Sequence, residues 1–161
     1  MLYRAYYIDK DLKYWNHGEG IHYELGQTLD FTTRLPYLSR DGWSSPESQG
    51  TWSKGAFGRL LLELNGMDKP TEIGFTATPF LAPQLHAQRI VVWANGVKLG
   101  EATLTSPTAK EISFAVGPSV RLRNGRELEI CFEYPDAKAP DALGISTDVR
   151  RAFYFRTLVM R

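Results

Sequence analysis

The sequence contains little cysteine: Cys131 is the single cysteine among 161 residues. One thiol cannot form a disulfide within the chain. Cysteine content therefore does not indicate whether the protein resides in an oxidising or a reducing compartment. Cys131 lies in the apolar run 128–134, which favours a buried, inert thiol over a nucleophile. The chain length and an apolar content of 43% are enough for one core without a metal or disulfide. We therefore expect a single domain over residues 1–161.

A strong net charge and long apolar runs are also missing. Nineteen Lys and Arg residues against eighteen Asp and Glu leave a formal charge of +1, too little for the positive field that gathers nucleic acid by counterion release. No eighteen apolar residues run together, and the first ten residues lack the apolar stretch of a signal peptide. We expect no nucleic-acid partner and no direct membrane insertion. A cytoplasmic location is favoured, although the sequence does not fix the side of the membrane.

Known catalytic motifs are missing as well. The chain has no glycine-rich phosphate loop, no Gly-x-Ser-x-Gly elbow and no His-Glu-x-x-His. His17, Glu19, His22 and Glu24 could form a metal cluster, but strand alternation puts only His22 and Glu24 on one face. Surface positions are therefore the favoured interpretation. We expect no catalytic residue, no metal and no cofactor.

The sequence is instead rich in segments of strand length. Alternating apolar and polar residues recur between turns of Gly, Pro, Asn, Asp and Ser, and apolar repeats at helical spacing are scarce. Long crossings between hairpins fit a sandwich better than a parallel α/β sheet, which needs amphipathic helices between its strands. We predict an all-β fold, a two-sheet antiparallel, jelly-roll-like β-sandwich. Its eight predicted strands are 22–31, 57–64, 72–78, 89–94, 97–104, 111–116, 127–134 and 152–160.

Turn-forming residues fix three of the connections. Asn95-Gly96 stands between two strand-like segments and predicts a hairpin, because Asn and Gly accept the positive φ values of a type I′ turn. Asn124-Gly125 predicts a second turn. The stretch 135–144 contains two prolines and a glycine, so it predicts a crossing loop without ladder hydrogen bonds.

The stretch 41–55 has the composition of a sugar site. Trp43 and Trp52 bracket a loop with Glu47, Gln49 and several hydroxyl groups. Aromatic faces stack on the C–H surfaces of sugars, while polar side chains bind their hydroxyls. The predicted carbohydrate-binding surface comprises Trp43, Glu47, Gln49, Trp52 and Trp93. The alternative is structural, with both tryptophans filling the core and Glu47 capping backbone donors in the loop.

The order of several short motifs resembles a known kind of domain. The motifs are Gly42-Trp-Ser-x-x-Glu47, Gly50-Thr-Trp-Ser53, Pro79-Phe80, Gln88, Asn95-Gly96, Pro135-x-Ala-x-x-Pro140 and Leu143-Gly-Ile-Ser-x-Asp-x-Arg150. Over about residues 29–158 this order is similar to uncharacterised jelly-roll-like β-sandwich domains attached to bacterial glycosyltransferases and surface-polysaccharide proteins. The resemblance implies an accessory domain of glycan assembly. It implies a glycan or polysaccharide as ligand, a glycosyltransferase on the same or another chain as partner, and no catalytic residues.

Four of the matched positions also have a structural interpretation. Glu47 and Arg150 lie in loops and carry opposite charges, so they could meet across the end of the sandwich as a bidentate pair that pins the tryptophan loop. Asp148 could orient Arg150 or cap the same turn. Gln88 could satisfy backbone groups at the entrance of its strand. For Glu47 and Arg150 we favour this structural pair over sugar binding.

Three functions compete at this point. The first is a non-catalytic carbohydrate-binding or substrate-holding module acting in bacterial cell-surface polysaccharide biosynthesis. The second is a structural protein–protein docking domain of a glycosyltransferase complex, which would show an exposed apolar sheet face. The third is a glycan-processing enzyme, since carboxylates are plentiful, although nothing in the sequence sets two of them at a glycosidase separation. The sequence names neither the sugar nor the linkage.

Overall fold

The computed structural model describes residues 20–35, 42–66, 68–138 and 150–161. These residues form ten strands and no helix, so they contain no helix that could cross a membrane. The predicted all-β class is confirmed, with ten strands rather than eight. The strands are β1 (Ile21–Tyr23), β2 (Thr28–Asp30), β3 (Thr51–Trp52), β4 (Phe57–Leu64), β5 (Glu72–Pro79), β6 (Gln88–Ala94), β7 (Val97–Leu104), β8 (Lys110–Ala115), β9 (Glu127–Glu133) and β10 (Phe153–Met160).

The strands form two sheets. Sheet I has the order β1-β4-β9-β6-β7, and sheet II has the order β2-β10-β5-β8. The strands pair antiparallel except for β1 with β4, which pair parallel. Strand β10 pairs with two short strands, with β3 at residues 154–155 of β10 and with β2 at residues 157–159 of β10. The predicted two-sheet β-sandwich is therefore confirmed.

The predicted strand 22–31 is wrong as a single element. It is two short strands, and Gly26 lies in the turn between them with φ of 90°, a value that glycine adopts at little cost. The Gly26 amide donates to the Met160 carbonyl oxygen at 2.7 Å. The chain thereby moves from sheet I at β1 to sheet II at β2. Strand β3 was not predicted because two residues are too few to show alternation.

Both Asn-Gly turns form as predicted. Asn95 and Gly96 have φ of 44° and 80°, and Asn124 and Gly125 have 50° and 76°, all in the left-handed region that a type I′ turn requires. Asn95 also bonds outside its hairpin, because its side-chain oxygen accepts the backbone N–H of Glu129 at 2.8 Å. The predicted crossing loop 135–144 is described only to residue 138.

The core lies between the two sheets and follows the alternation of the strands. In β10 the register shifts between Phe155 and Thr157. This bulge lets Phe155 and Leu158, three residues apart, both point into the core. A second register shift occurs where β6 pairs with β7, between Val92 and Trp93. Buried core residues of the other strands include Leu60, Leu62, Ile73, Phe75, Ile90, Val92, Leu128, Ile130 and Phe132.

The outer face of sheet I is also buried in its centre. Arg59 and Glu129 form an ion pair there, with Nε–Oε2 and Nη2–Oε2 distances of 2.8 Å and side-chain exposures of 0% and 2%. Cys131 is buried on the same face and packs with Phe57 and Trp93. The predicted burial of the thiol is confirmed.

Candidate functional site

The segment 42–55 folds as a small hairpin whose return arm is β3. Gly42 has φ of 88°, and a Cβ there would overlap the carbonyl oxygen of Phe57, so only glycine lets the chain pass this close to β4. Trp43 bridges to Ser53, and Glu47 and Gly50 exchange backbone hydrogen bonds of 2.7 and 3.3 Å. The tip of the hairpin is therefore residues 47–50, and its base is anchored to the sandwich.

Trp43 lies in the core and not on a surface. Its side chain is 1% exposed, and its ring stacks on Phe31 with centroids 5.2 Å apart and meets Phe155 edge-on at 4.9 Å. The indole N–H donates to the Arg59 carbonyl oxygen at 2.9 Å. With its rings packed and its polar atom satisfied, Trp43 follows the structural alternative and presents no face to a ligand.

Trp52 lies on the outer face of sheet II and is partly exposed. It is paired with Tyr154 across β3 and β10, and their rings are 4.8 Å apart. The Phe80 ring meets Trp52 edge-on at 6.2 Å, and the guanidinium of Arg151 lies 5.0 Å from the centre of the indole ring. Phe80, Arg151 and Tyr154 are also partly exposed. We call this group, with Gln49 and Arg156, the Trp52 patch.

Gln49 and Glu47 bring the tip of the hairpin to the same patch. The Gln49 side-chain oxygen accepts a hydrogen bond of 2.7 Å from Arg156, which lies at the bulge of β10. Partial burial raises the pKa of the Tyr154 hydroxyl, and the nearby Glu47 carboxylate raises it further, while the backbone of Gln49 opposes the shift. Two polar side chains predicted for the site, Glu47 and Gln49, therefore stand beside Trp52 and Tyr154.

Hydroxyl groups continue the outer face of sheet II away from the rings. Tyr154 is directly opposite Thr78, and Thr157 is directly opposite Thr76. The three threonines are partly exposed. An aromatic pair bordered by hydroxyl and amide groups is a surface that can pack against a sugar ring and hydrogen-bond its hydroxyls.

Trp93 does not belong to this surface. Its neighbours along β6, Val92 and Ala94, point into the core, so Trp93 points to the outer face of sheet I. Its indole N–H donates to Glu133 at 3.2 Å, and it stands opposite Cys131. The five residues predicted for the site therefore lie in three places. Trp43 is in the core, and Trp93 is on the outer face of sheet I. Trp52, Glu47 and Gln49 are together on the outer face of sheet II.

The expected ion pair between Glu47 and Arg150 is not formed. Both side chains are exposed, and within the described residues neither has a salt bridge. The Arg150 segment is held by its backbone, because the Gly55 amide donates to the Arg150 carbonyl oxygen at 3.1 Å. Asp148 lies outside the described residues. The hairpin is thus fastened by main-chain bonds and the buried Trp43 rather than by charge.

Two further predicted positions have structural contacts. Gln88 is buried and donates to the Phe80 carbonyl oxygen at 3.0 Å, so it satisfies a backbone group as predicted. His22 lies 3.7 Å from Glu63 across β1 and β4. Within the described residues, no three histidine, cysteine, aspartate or glutamate side chains are grouped closely enough to hold a metal ion. His17 and Glu19 lie outside those residues.

Sequence reasoning missed Tyr154, Phe80, Arg151 and Arg156 as site residues. Tyr154 and Arg156 lie on β10, Arg151 lies just before it, and Phe80 follows β5, so all four are far along the chain from the hairpin. Alternation on β10 could have placed Tyr154 opposite to the core residues Phe153 and Phe155. No pattern in the sequence shows that β10 runs beside β3.

Comparison with protein-family models found no match, and comparison with curated proteins found none either. Among solved structures, the chain is similar to dimeric latent PorU from Porphyromonas gingivalis, with a TM-score of 0.46 and 9% sequence identity. The similarity covers 83% of this chain and 12% of the PorU chain. At this level the similarity carries no information on function.

Proposed function

We propose that this domain is a non-catalytic carbohydrate-binding module and that its site is the Trp52 patch. The observation that carries the proposal is the partly exposed Trp52–Tyr154 ring pair, 4.8 Å between centroids, on the outer face of sheet II. Hydrogen-bonding side chains border the rings on the hairpin side at Gln49 and on the sheet side at Thr78. Apolar rings with hydroxyl-matching neighbours are what a sugar needs for stacking and orientation.

The surface is a sheet face, and this limits its affinity. A sugar on an open sheet face keeps part of its hydration and loses the rest. Because the lost hydration offsets much of the contact energy, the net free energy of binding is small. We expect dissociation constants from about ten micromolar to millimolar, which correspond to roughly −7 to −4 kcal/mol.

The biological setting of the proposal comes from the motif order. The resemblance to accessory domains of bacterial glycosyltransferases supports a role in cell-surface polysaccharide biosynthesis, with a glycosyltransferase on the same or another chain as partner. In this setting the domain holds the polysaccharide while the partner acts on it. The threonines beside Trp52 add hydroxyl groups that can hydrogen-bond a glycan.

The test is binding of the intact protein to an array of bacterial polysaccharide fragments, followed by titration of the best fragment with intrinsic fluorescence and saturation-transfer NMR. Trp52→Ala and Tyr154→Ala should each weaken binding by roughly 1–2 kcal/mol, the scale of a lost aromatic contact. This equals about a 5- to 30-fold rise in Kd.

The control is Trp93→Ala, which removes the same ring from the opposite face of the sandwich and should leave affinity unchanged. Each variant is compared only if it keeps its thermal transition, so that loss of sugar is not confused with loss of fold. The proposal fails if the folded wild type binds no fragment at millimolar concentration, or if folded Trp52→Ala binds as tightly as wild type.

A further inference from the structure

The two arginines of the Trp52 patch differ from the four described arginines that form ion pairs with carboxylates. Within the described residues, Arg151 and Arg156 have no carboxylate within ion-pair distance. Arg151 lies over Trp52 at 5.0 Å, and Arg156 donates to the neutral amide of Gln49. Elsewhere in those residues four arginines form ion pairs with carboxylates: Arg59, Arg89, Arg126 and Arg161.

Arg151 also has an unused donor. Its Nε is shielded from solvent and has no hydrogen-bond partner among the described residues, so neither water nor a ligand reaches this atom. The two Nη atoms are not among the shielded donors, and Arg151 is partly exposed. This end of the guanidinium presents paired N–H donors that match the two oxygens of a carboxylate. The contact with Trp52, 5.0 Å from the ring centre, restrains the guanidinium, which lowers the entropy lost when it forms such a pair.

The acidic groups near the patch leave these charges available. Glu47 acts on the Tyr154 hydroxyl, and Asp30 is held by its hydrogen bonds to Thr32 and is only weakly affected by Arg156. Within the described residues neither carboxylate forms an ion pair with an arginine of the patch. The Arg151 side of the patch is therefore the side to which an anionic group of a ligand would bind.

We infer that the glycan held by the Trp52 patch is acidic, a uronic-acid polysaccharide whose carboxylate pairs with Arg151 while its sugar ring packs on Trp52 and Tyr154. The inference rests on the proposed function and adds the class of ligand. A neutral glycan would use the rings and hydroxyls but would offer no carboxylate to the Arg151 guanidinium. A carboxylate on the sugar is therefore the feature by which the site selects its ligand.

The probe is a galacturonate tetramer and its methyl ester, which have the same sugar and linkage and differ in charge. Both are titrated calorimetrically into the intact protein beside the uronate-containing and neutral fragments of the array. The acid should bind about tenfold more tightly than the ester, and uronate fragments should exceed their neutral counterparts on the array. Raising the salt concentration from 50 to 500 mM should reduce this preference, because partly exposed charges are screened.

The variants assign the preference to one side chain. Arg151→Gln should abolish the preference, so that this variant binds the acid and the ester with equal affinity. Arg151→Lys keeps the charge without the paired donors, so it should retain part of the preference. Arg121→Gln removes an equal charge at an exposed position outside the patch and should change neither affinity. Thermal transitions of all variants show whether they are folded.

The outcomes separate the two proposals. Equal binding of acid and ester, or of uronate and neutral fragments, overturns the inference and leaves the carbohydrate-binding function standing. A preference for acid that survives in folded Arg151→Gln overturns the role of Arg151. Absence of binding to all fragments, acidic and neutral, overturns both the inference and the proposed function. The wild-type comparison needs no variant, so it decides the question even if Arg151→Gln fails to fold.

Discussion

At the residue scale, two tryptophans of one hairpin have opposite environments. Trp43 is enclosed by Phe31 and Phe155, and its N–H is satisfied by the backbone of Arg59. Trp52 stands at the same hairpin's return arm and stays partly exposed beside Tyr154. The difference follows from which side of the sheet each position faces. Mutation of Trp43 therefore reports on the core, and mutation of Trp52 reports on the surface.

The Tyr134 hydroxyl is a buried polar group whose loss should not harm the fold. The side chain is 1% exposed, and its hydroxyl has no hydrogen-bond partner among the described residues. Burial raises the pKa of this phenol well above its ordinary value, so it stays neutral. Tyr134→Phe removes the desolvated oxygen and keeps the ring, and we expect it to raise the free energy of unfolding by up to about 1 kcal/mol.

Urea denaturation of wild type and Tyr134→Phe measures this difference. A loss of more than about 1 kcal/mol would mean that the hydroxyl makes a hydrogen bond in solution. The neighbouring Gly58 explains why the ring fits, since a Cβ there would lie 2.6 Å from the hydroxyl oxygen.

At the element scale, β10 organises the patch. It pairs with β5 on one side and with β2 and β3 on the other, so it joins the hairpin to the sheet. Its bulge at Arg156 changes the alternation and places a polar side chain where it reaches Gln49. The site is therefore assembled by strand pairing and by one irregularity in it.

The contact between Asp136 and Arg89 should make the stability of the protein depend on pH. Asp136, after β9, accepts three hydrogen bonds from Arg89 at the start of β6, two from the side chain and one from the backbone, at 2.8–2.9 Å. These bonds hold the pKa of Asp136 below its usual value, with the side-chain bond the largest cause. Because the folded-state pKa is lowered, the stabilisation is present above about pH 4 and is lost as the pH falls through the folded pKa.

We expect Asp136→Asn to be less stable than wild type at pH 6 by under about 1 kcal/mol, since the Arg89 side chain is largely exposed and the pair is screened. The difference should shrink towards zero at pH 2.5. Urea denaturation of both proteins at the two pH values provides the measurement, and all other carboxyl groups are common to both. A difference that is equal at pH 6 and pH 2.5 would show that Asp136 does not act through its charge.

At the scale of the whole molecule, both sheets contribute to one core. Phe132 of sheet I and Phe75 of sheet II lie 5.2 Å apart, and Phe155 contacts both. Rings interleaved in this way leave no boundary along which one sheet could unfold alone. The chain should therefore behave as a single domain, which remains a prediction.

The expected result is one cooperative transition. Far-UV circular dichroism should show β-structure with less than about a quarter helix, and its thermal midpoint should coincide with that of the tryptophan fluorescence. Trp43 in the core and Trp93 on sheet I make the fluorescence a probe of both layers. Separate midpoints would divide the chain into more than one folding unit.

The sequence by itself determined the class of fold and most strand positions. Alternation is a local property, so β4 and β7 were predicted at their observed bounds, and the two Asn-Gly turns formed because only a few residue types tolerate positive φ. The loop composition also drew attention to Gln49 and Trp52, whose role in binding sugar stays a prediction. These features depend on neighbours within a few residues of the chain.

Only the tertiary structure decided which residues share a surface. Whether Trp43 fills the core, and whether Trp93 or Tyr154 stands beside Trp52, depends on which strands pair and on which sheet face each side chain lies. The sequence contains the charges of Glu47 and Arg150 but not the distance between them, so the expected pair could not be excluded in advance. Burial and contact arise from pairings between residues about a hundred positions apart, which local periodicity does not encode.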